Sequence, residues 1–288
     1  MATERSAPPA TVDALLRAAA RGLAAASESP RLDAELLLAH ALGVGRVDLY
    51  RTLFDAVPDA AAGRFGAALA ERAAGRPVAQ LTGTRDFWTL SLAVTRATLT
   101  PRPETEVLVA RALELLPAAS EGPVLDLGTG TGAIALALAT ERPRLRVVAT
   151  DLSKPALTVA RGNARRLGVR NVRFHLGDWF GALPAPARFA VIASNPPYVT
   201  PDELAAGDRA LGFEPRLALL GGRDGLDAYR TIVAGAPAHL ASGGTLLVEH
   251  GATQGDAVRE LFRTQGFRAP RTLPDLAGRP RVTEGQLP

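Results

Sequence analysis

Cysteine is absent from the 288-residue chain, which excludes disulfides, thiolate metal ligands and cysteine nucleophiles. Lysine is nearly absent too: Lys154 is the only one, and every other basic residue is arginine. The excess of basic over acidic groups is small, 33 against 29, for a net charge of +4. The isoelectric point near 10.2 reflects the titration of arginines, not a large charge excess at pH 7. An acidic partner is compatible with this balance, and a direct nucleic-acid partner is not required. Aromatic residues make up 5% of the chain. No apolar run reaches the ~20 residues that span a bilayer, so no membrane association is expected. The opening Met1-Ala-Thr-Glu-Arg-Ser-Ala-Pro-Pro9 lacks the apolar core of a signal peptide, and a cytoplasmic location is expected. The four histidines, His40, His175, His239 and His250, are scattered without the close spacing of a metal site, so no metal is expected.

What is present is an apolar fraction of 47%, ordinary for a chain that buries a real core. The length suits one large domain with a small one. Residues 1–76 read as a helical bundle. Thr11 can cap a helix that runs through Arg21; Pro30 opens a second, closed by Gly43; a third spans Asp59 to Ala74. This bundle is either a packing domain or a partner-docking domain. Over residues 77–100 the period changes. Leu81-Thr-Gly83 and Phe87 to Val94 read as strands of a hairpin around a turn at Gly83-Thr-Arg-Asp86. Phe87 and Trp88 are either both core or one lines the site.

From residue 101 to 288, strands alternate with helices. Strands are expected at Val124–Leu127, Val147–Thr150, Val172–His175, Phe189–Ser194 and Thr245–Glu249. Helices are expected at Ala133–Thr140, Lys154–Leu167, Leu226–Leu240 and Ala252–Thr264. This alternation implies an α/β fold, a doubly wound, Rossmann-like parallel sheet covered on both faces.

Two motifs carry chemistry. Gly128-Thr129-Gly130-Thr131-Gly132 sits between a strand and a helix, where glycines allow close approach of backbone to ligand. Asp151 ends the next strand, roughly 20 residues on, where an acid can accept hydrogen bonds from ribose hydroxyls. The spacing departs from the dinucleotide fingerprint, and no Gly-Lys-Ser/Thr follows, so an adenosine ligand without pyrophosphate fits better. Asp178 and Trp179 follow the third strand and can offer an acceptor and an aromatic face to adenine; Trp179 can equally be core.

The second motif, Asn195-Pro196-Pro197-Tyr198, closes an apolar strand. Asn195 offers a side-chain carbonyl and Pro196 a backbone carbonyl, on a loop stiffened by two fixed φ angles. Two such acceptors can bind both hydrogens of one NH2 group. Holding those hydrogens out of plane restores lone-pair character to a conjugated nitrogen, and Tyr198 can stack on the planar group. Together the motifs suggest transfer of a methyl group from S-adenosylmethionine to an NH2 nitrogen, leaving S-adenosylhomocysteine. Positioning supplies most of the acceleration, and no strong base is required.

With these residues in hand, the chain resembles the release factor glutamine methyltransferases, the PrmC/HemK family, over nearly its whole length. The resemblance rests on Pro30-Arg-Leu-Asp-Ala-Glu-Leu-Leu-Leu38, Gly83-Thr-Arg-Asp-Phe-Trp88, Thr100-Pro-Arg-Pro-Glu-Thr-Glu106 and Leu125 to Ala135. It continues in Asn195-Pro-Pro-Tyr198, Phe213-Glu-Pro-Arg-Leu-Ala-Leu219 and Glu249-His-Gly251. It implies a class I methyltransferase domain behind an N-terminal helical bundle. It further implies methylation of the glutamine amide in the Gly-Gly-Gln loop of class I peptide release factors. Carried over, Gly128 to Gly132, Asp151, Trp179 and Asn195 contact S-adenosylmethionine, and Asn195 to Tyr198 hold the amide. Phe87 and Pro101-Arg-Pro103 border the pocket, and the helical domain grips the release factor elsewhere. Two stretches depart from the family pattern. Residues 205–212 lack an acidic-aliphatic pair, and Pro280 stands where a polar residue is usual and is expected to disturb an edge strand.

The rival reading is an amino-methyltransferase acting on adenine N6 or guanine N2 of nucleic acid. It calls for a basic, sequence-reading surface that this chain does not display in sequence. Methylation at cytosine carbon 5 is disfavoured by the missing cysteine nucleophile. A scaffold that binds the cofactor without turnover is disfavoured by the intact motifs. Nothing in the sequence calls for an obligate oligomer, and a monomer is expected.

Overall fold

Residues 10–183, 187–207 and 209–288 are described by the structure, a computed structural model. The opening nine residues and Asp208 of the 205–212 stretch therefore lie outside the described residues. The chain clusters into two compact units. One runs to Gly83 and takes in the segment ending at Phe213; the other comprises Thr84–Gly207 and Glu214–Pro288.

In the first unit, α1 (Val12–Gly22) starts where the Thr11 hydroxyl accepts from the Ala14 N–H at 3.3 Å. Helix α2 (Pro30–Leu42) opens on a proline, whose missing donor is harmless in the first turn, and stops at Gly43 with φ 71°. A 3-10 turn over Arg46–Arg51 leads to α3 (Asp59–Ala73). Leu16, Leu37, Leu38, Leu49 and Phe65 are buried in the shared core. The Arg72 guanidinium donates to Asp33 at 2.7 Å, tying α3 to α2. A fourth helix, α4 (Val78–Thr82), stands where a strand through Leu81 is expected. Pro77 presets the backbone at its start, and Gly83, with φ 75°, ends it in the left-handed region. The short apolar run is thus a single capped turn.

The second unit opens with an antiparallel hairpin, β1 (Thr84–Phe87) and β2 (Leu90–Ala93). Its turn is at Trp88-Thr89, not at Gly83–Asp86: Phe87 pairs with Leu90, and Trp88 takes φ 55°. A left-handed tryptophan is unfavourable on its own. Here its N–H donates to Glu106 at 2.8 Å and its indole N–H to Glu141 at 2.7 Å. After α5 (Glu106–Leu115) the alternation runs β3 (Pro123–Leu127), α6 (Ala133–Glu141), β4 (Arg146–Asp151), α7 (Lys154–Arg166), β5 (Val172–Leu176), β6 (Phe189–Ser194). It continues through α8 (Pro201–Ala206), α9 (Arg216–Leu219), α10 (Asp227–His239), β7 (Leu240–Glu249), α11 (Gly255–Thr264), β8 (Arg268–Pro274) and β9 (Pro280–Gln286).

The sheet order is β5-β4-β3-β6-β7-β9-β8. Strands β3 to β7 pair in parallel, while β9 pairs antiparallel with both β7 and β8. Pro280 therefore opens an internal strand, not an edge strand. As the first residue of β9 it sits where a missing donor is tolerated. Alternate strand residues feed two apolar layers. Val124, Val147, Val191 and Leu247 join Leu108, Leu136 and Phe87 in one. Leu125, Ile192, Leu246 and Val248 join Tyr229, Ile232 and Phe262 in the other. Both faces are buried, as a parallel sheet requires. Strand order reverses between β3 and β6, so the crevice at their C-terminal ends is the place where ligands of such sheets bind. Among the described residues, no helix is long and apolar enough to cross a membrane.

Candidate active site

A cavity of about 570 Å³ opens at those strand ends. Gly128, Thr129, Gly130, Thr131, Asp151, Asp178, Trp179, Asn195 and Pro197 all line it. Gly132, Pro196 and Tyr198 do not. Gly132 instead forms the start of α6, with φ 87°, where an added Cβ would stand 2.9 Å from Leu136.

The glycine loop is held by its backbone: the N–H groups of Gly128 and Thr129 both donate to the Thr150 carbonyl at 2.9 Å. The Asp151 carboxylate accepts from Gly130 N–H and from Ser153 N–H, each at 2.8 Å. Burial raises its pKa, and those two donors oppose the rise. One residue the sequence reading did not assign is Asp126, fully buried beneath the loop. Its Oδ2 accepts from the Thr129 hydroxyl at 2.7 Å and from Ala135 N–H at 3.1 Å. Burial pushes this carboxyl up to about 7 against those two bonds, with the nearby Asp151 charge adding to the rise. Trp179 lines the cavity and also packs on the apolar layer beneath. Its φ of 41° is a strained conformation held at the cavity wall.

At the end of β6, the Asn195 side-chain nitrogen donates to the Thr105 hydroxyl at 3.1 Å. That bond occupies the amide's donor side and leaves its carbonyl oxygen as the acceptor. The rest of the loop is pinned through its backbone. Val199 N–H donates to the Leu219 carbonyl at 2.8 Å, Gly221 N–H to the Val199 carbonyl at 3.0 Å, and the Gln254 amide to the Tyr198 carbonyl at 3.1 Å. A Cβ at Gly221 would lie 2.7 Å from the Pro197 carbonyl oxygen and 2.8 Å from Tyr198 Cα, so only glycine fits there. The Tyr198 ring packs on the apolar layer that carries Tyr229, and burial pushes its phenol up to about 12.

A second wall comes from the segment before α5. Pro101, Arg102 and Thr105 line the cavity. Glu214, whose side chain is 0% exposed, accepts from Thr100 N–H at 3.0 Å and from the Arg102 guanidinium at 2.7 Å. Phe87 does not border the cavity; as the last residue of β1, before the turn at Trp88-Thr89, it is buried in the core. Thr105, Leu217, Asp227 and Thr231 also line the space and were not singled out by sequence. For Thr105 and Leu217 the only signal was the density of proline beside charge in Thr100–Glu106 and Phe213–Leu219; Asp227 and Thr231, on α10, carried none. None of the four histidines lines it; His250 is buried against Thr283, and His239 stacks on Phe180.

This strand order, a glycine loop after the sheet's first strand, an acid closing the second and an Asn-Pro-Pro-Tyr loop closing the fourth define a class I methyltransferase. Family comparisons agree. Residues 14–83 match the PrmC N-terminal domain, and residues 118–266 match a methyltransferase domain. The chain is 50% identical to the release factor glutamine methyltransferase of Cereibacter sphaeroides, over 96% of this chain and 98% of that one. It is 52% identical to the enzyme of the same name from Xylella fastidiosa, over 92% and 97%. A methyltransferase from Pyrococcus furiosus, 18% identical, shares the fold over 69% of this chain and 89% of that one, with a TM-score of 0.52. The chain belongs to the release factor glutamine methyltransferases.

Proposed function

We propose that this chain methylates the side-chain amide nitrogen of the glutamine in the Gly-Gly-Gln loop of class I peptide release factors, with S-adenosylmethionine as donor. The observation that carries this reading is the orientation of Asn195, whose nitrogen is committed to Thr105 and whose oxygen is left for an NH2 group. The cavity suits the donor: left-handed glycines expose backbone, Asp151 stands at the end of β4, and Trp179 offers a ring. Gly128 to Thr131, Asp151, Asp178, Trp179 and Asn195, which line the cavity, would hold it. When bound, S-adenosylmethionine supplies an electrophilic methyl group and leaves as S-adenosylhomocysteine.

The protein's own contribution is geometric. Asn195 Oδ1 and the Pro196 carbonyl accept the two hydrogens of the substrate amide and turn its lone pair out of conjugation. Pro197 and Tyr198 keep that loop stiff, Tyr198 from beneath by its packing. Fixing two reactants in one orientation converts an encounter into a unimolecular step. The nitrogen sheds its surplus proton after transfer, so no strong base is needed.

The helical unit at residues 1–76 is read as the release-factor docking domain, the hairpin region at 77–100 as a linker and the remainder as the catalytic domain. The chain would act as a cytoplasmic monomer without metal. Incubation with a release factor and S-adenosylmethionine, followed by peptide mass spectrometry, tests the reading. One added methyl on the glutamine of Gly-Gly-Gln supports it; methylation confined to another residue overturns it.

A further inference from the structure

Residues 152–177, which carry α7 and β5, hold six basic side chains and no acidic one. The six are Lys154, Arg161, Arg165, Arg166, Arg170 and Arg173, and all are exposed. Without them the chain has 27 basic residues against 29 acidic ones, so its whole positive excess lies in this one segment. None of the six forms an ion pair with a described residue.

Two ordinary causes cover part of the set. Arg165 and Arg166 stand in the last turn of α7, where they complement the helix dipole. Arg173 lies on β5, an edge of the sheet, and charge on an edge blocks unwanted pairing. Neither cause covers Arg161 in mid-helix, nor Lys154 at the N-terminal end of α7, where the dipole disfavours a cation. Neither explains the missing counterions. Exposed arginines of α10 and α11 are paired within their own helices, Arg230 with Asp227 and Arg263 with Glu260, each at 2.9 Å.

Lys154, Thr158, Arg161 and Arg165 recur at helical spacing and share one face of α7. At 1.5 Å per residue the stripe is about 16 Å long. Arg161 and Arg165 border a surface groove of about 390 Å³ between α7 and β5, whose lining includes Val169, Val172 and Phe174. The Arg161 guanidinium is held there by the Phe174 carbonyl, to which it donates at 3.0 Å. The side chains of Lys154 and Arg165, and of Arg170 in the turn that follows α7, make no hydrogen bond with a described residue and can turn to a ligand. The groove shares no lining residue with the cavity at the strand ends.

A row of cations beside an apolar lining that includes an aromatic ring suits a single nucleic-acid strand, with phosphates on the cations and bases against the ring. Nucleic-acid interfaces are much more positively charged than protein interfaces, whose centres are depleted of charge. A row without one acid therefore fits a phosphate polymer better than an acidic protein. The sugar is distinguished by Thr158, which also lines the groove. Its hydroxyl donates to the Lys154 carbonyl at 3.0 Å, so its oxygen is left to accept from a ribose 2′-OH, which DNA lacks.

We infer that the α7–β5 face is a docking surface for single-stranded RNA, gripped through phosphate and ribose without regard to sequence. The RNA is held and not methylated, because the groove lies apart from the Asn195 loop. For an enzyme that acts on release factors, such a grip keeps it beside the RNA-rich machinery where those factors work.

The test is fluorescence anisotropy with a labelled oligouridine of about 12 nucleotides, at about 50 to 200 mM salt. Oligodeoxyuridine and polyglutamate of equal length serve as rival ligands. Log affinity for the RNA should fall with log salt at a slope of about −2 to −3, as three or four cations on a single strand require. Arg165→Ala/Arg170→Ala removes no hydrogen bond, so its thermal unfolding should match wild type. It should lose RNA affinity by at least about 10-fold at the lowest salt and flatten the slope by about 1.4. Arg144→Ala/Arg263→Ala, with the same change in net charge, should stay within about threefold of wild type. Thr158→Val should bind RNA no better than DNA. Should the Arg165/Arg170 variant fail to fold, Lys154→Ala decides, with an expected flattening of about 0.7. Four results overturn the inference: no RNA binding at the lowest salt, polyglutamate or DNA bound as tightly as RNA, an equal loss in the Arg144/Arg263 control, or an unchanged slope in the α7 variants. Methyl transfer to a free release factor is measured separately; its absence in wild type overturns the glutamine reading and leaves the RNA result standing.

Discussion

Asn195 and Thr105 meet at 3.1 Å, with the amide nitrogen as donor and the hydroxyl oxygen as acceptor. They come from elements 90 residues apart in sequence. One closes β6; the other sits in the short helical turn before α5. That contact turns a strand-end asparagine from a generic loop residue into an oriented acceptor, and most of the mechanism depends on it.

Asn195→Ala removes the acceptor while leaving the pinned backbone intact. Its kcat should fall by about 10²- to 10³-fold, the usual cost of deleting one oriented polar group at a reacting centre. Its thermal unfolding should stay near wild type. Steady-state kinetics with calorimetry checks both, and near-normal turnover would count against the NH2-binding role.

In the proposed function Asp151 serves the cofactor side. Asp151→Ala should raise the S-adenosylmethionine KM by about 10- to 100-fold, consistent with hydrogen bonds to a charged group worth ~1.5–3 kcal/mol. Part of that loss comes from the freed N–H groups of Gly130 and Ser153. Titration calorimetry with S-adenosylhomocysteine measures it; unchanged affinity would place the ribose elsewhere.

The Arg102–Glu214 pair should respond asymmetrically to mutation. Arg102→Ala leaves a carboxylate whose side chain is 0% exposed without its cation and should cost about 3–5 kcal/mol. Glu214→Gln keeps an acceptor for Thr100 N–H and leaves an arginine that is 35% exposed and can turn to water. It should cost about 1–3 kcal/mol. Urea unfolding of both variants measures the difference, and a larger loss in Glu214→Gln would contradict it.

Asp126 should make stability pH-dependent. Its folded value, near 7, lies above the ~3.9 of an unfolded aspartate. Between those values the folded state holds more protons than the unfolded one, so stability falls as pH rises through the window. The whole cost is in place above about 7 and absent below about 4. Asp126→Asn can still accept from Thr129 and Ala135 but carries no charge. Its Tm should therefore drop less than that of wild type between about pH 5 and pH 8. Equal drops would show that Asp126 does not titrate there.

Much of this was legible in the chain. Gly43 marks the end of α2, Ser153 caps α7, and the apolar runs of β3, β4 and β6 fall where their periodicity puts them. These are local signals with local causes. The glycine loop, Asp151 and Asn195 were also readable, because a doubly wound sheet delivers strand ends to one crevice. What escaped depends on distant partners. The turn at Trp88 is held by Glu106 and Glu141, and no propensity favours tryptophan there. Strand β8 is an edge, polar and ending on a proline, and lacks the alternation that marks a half-buried strand. Helix α4 is one turn, too short for periodicity to separate from a strand. Thr105 gains meaning only from its contact with Asn195, 90 residues away in sequence.

The most direct test offers labelled S-adenosylmethionine to three acceptors: a purified release factor, the same factor with its Gly-Gly-Gln glutamine changed to alanine, and ribosomal RNA with DNA. Label on the unaltered factor alone is the result the account predicts. Label on nucleic acid, or equal label on the alanine variant, would contradict it.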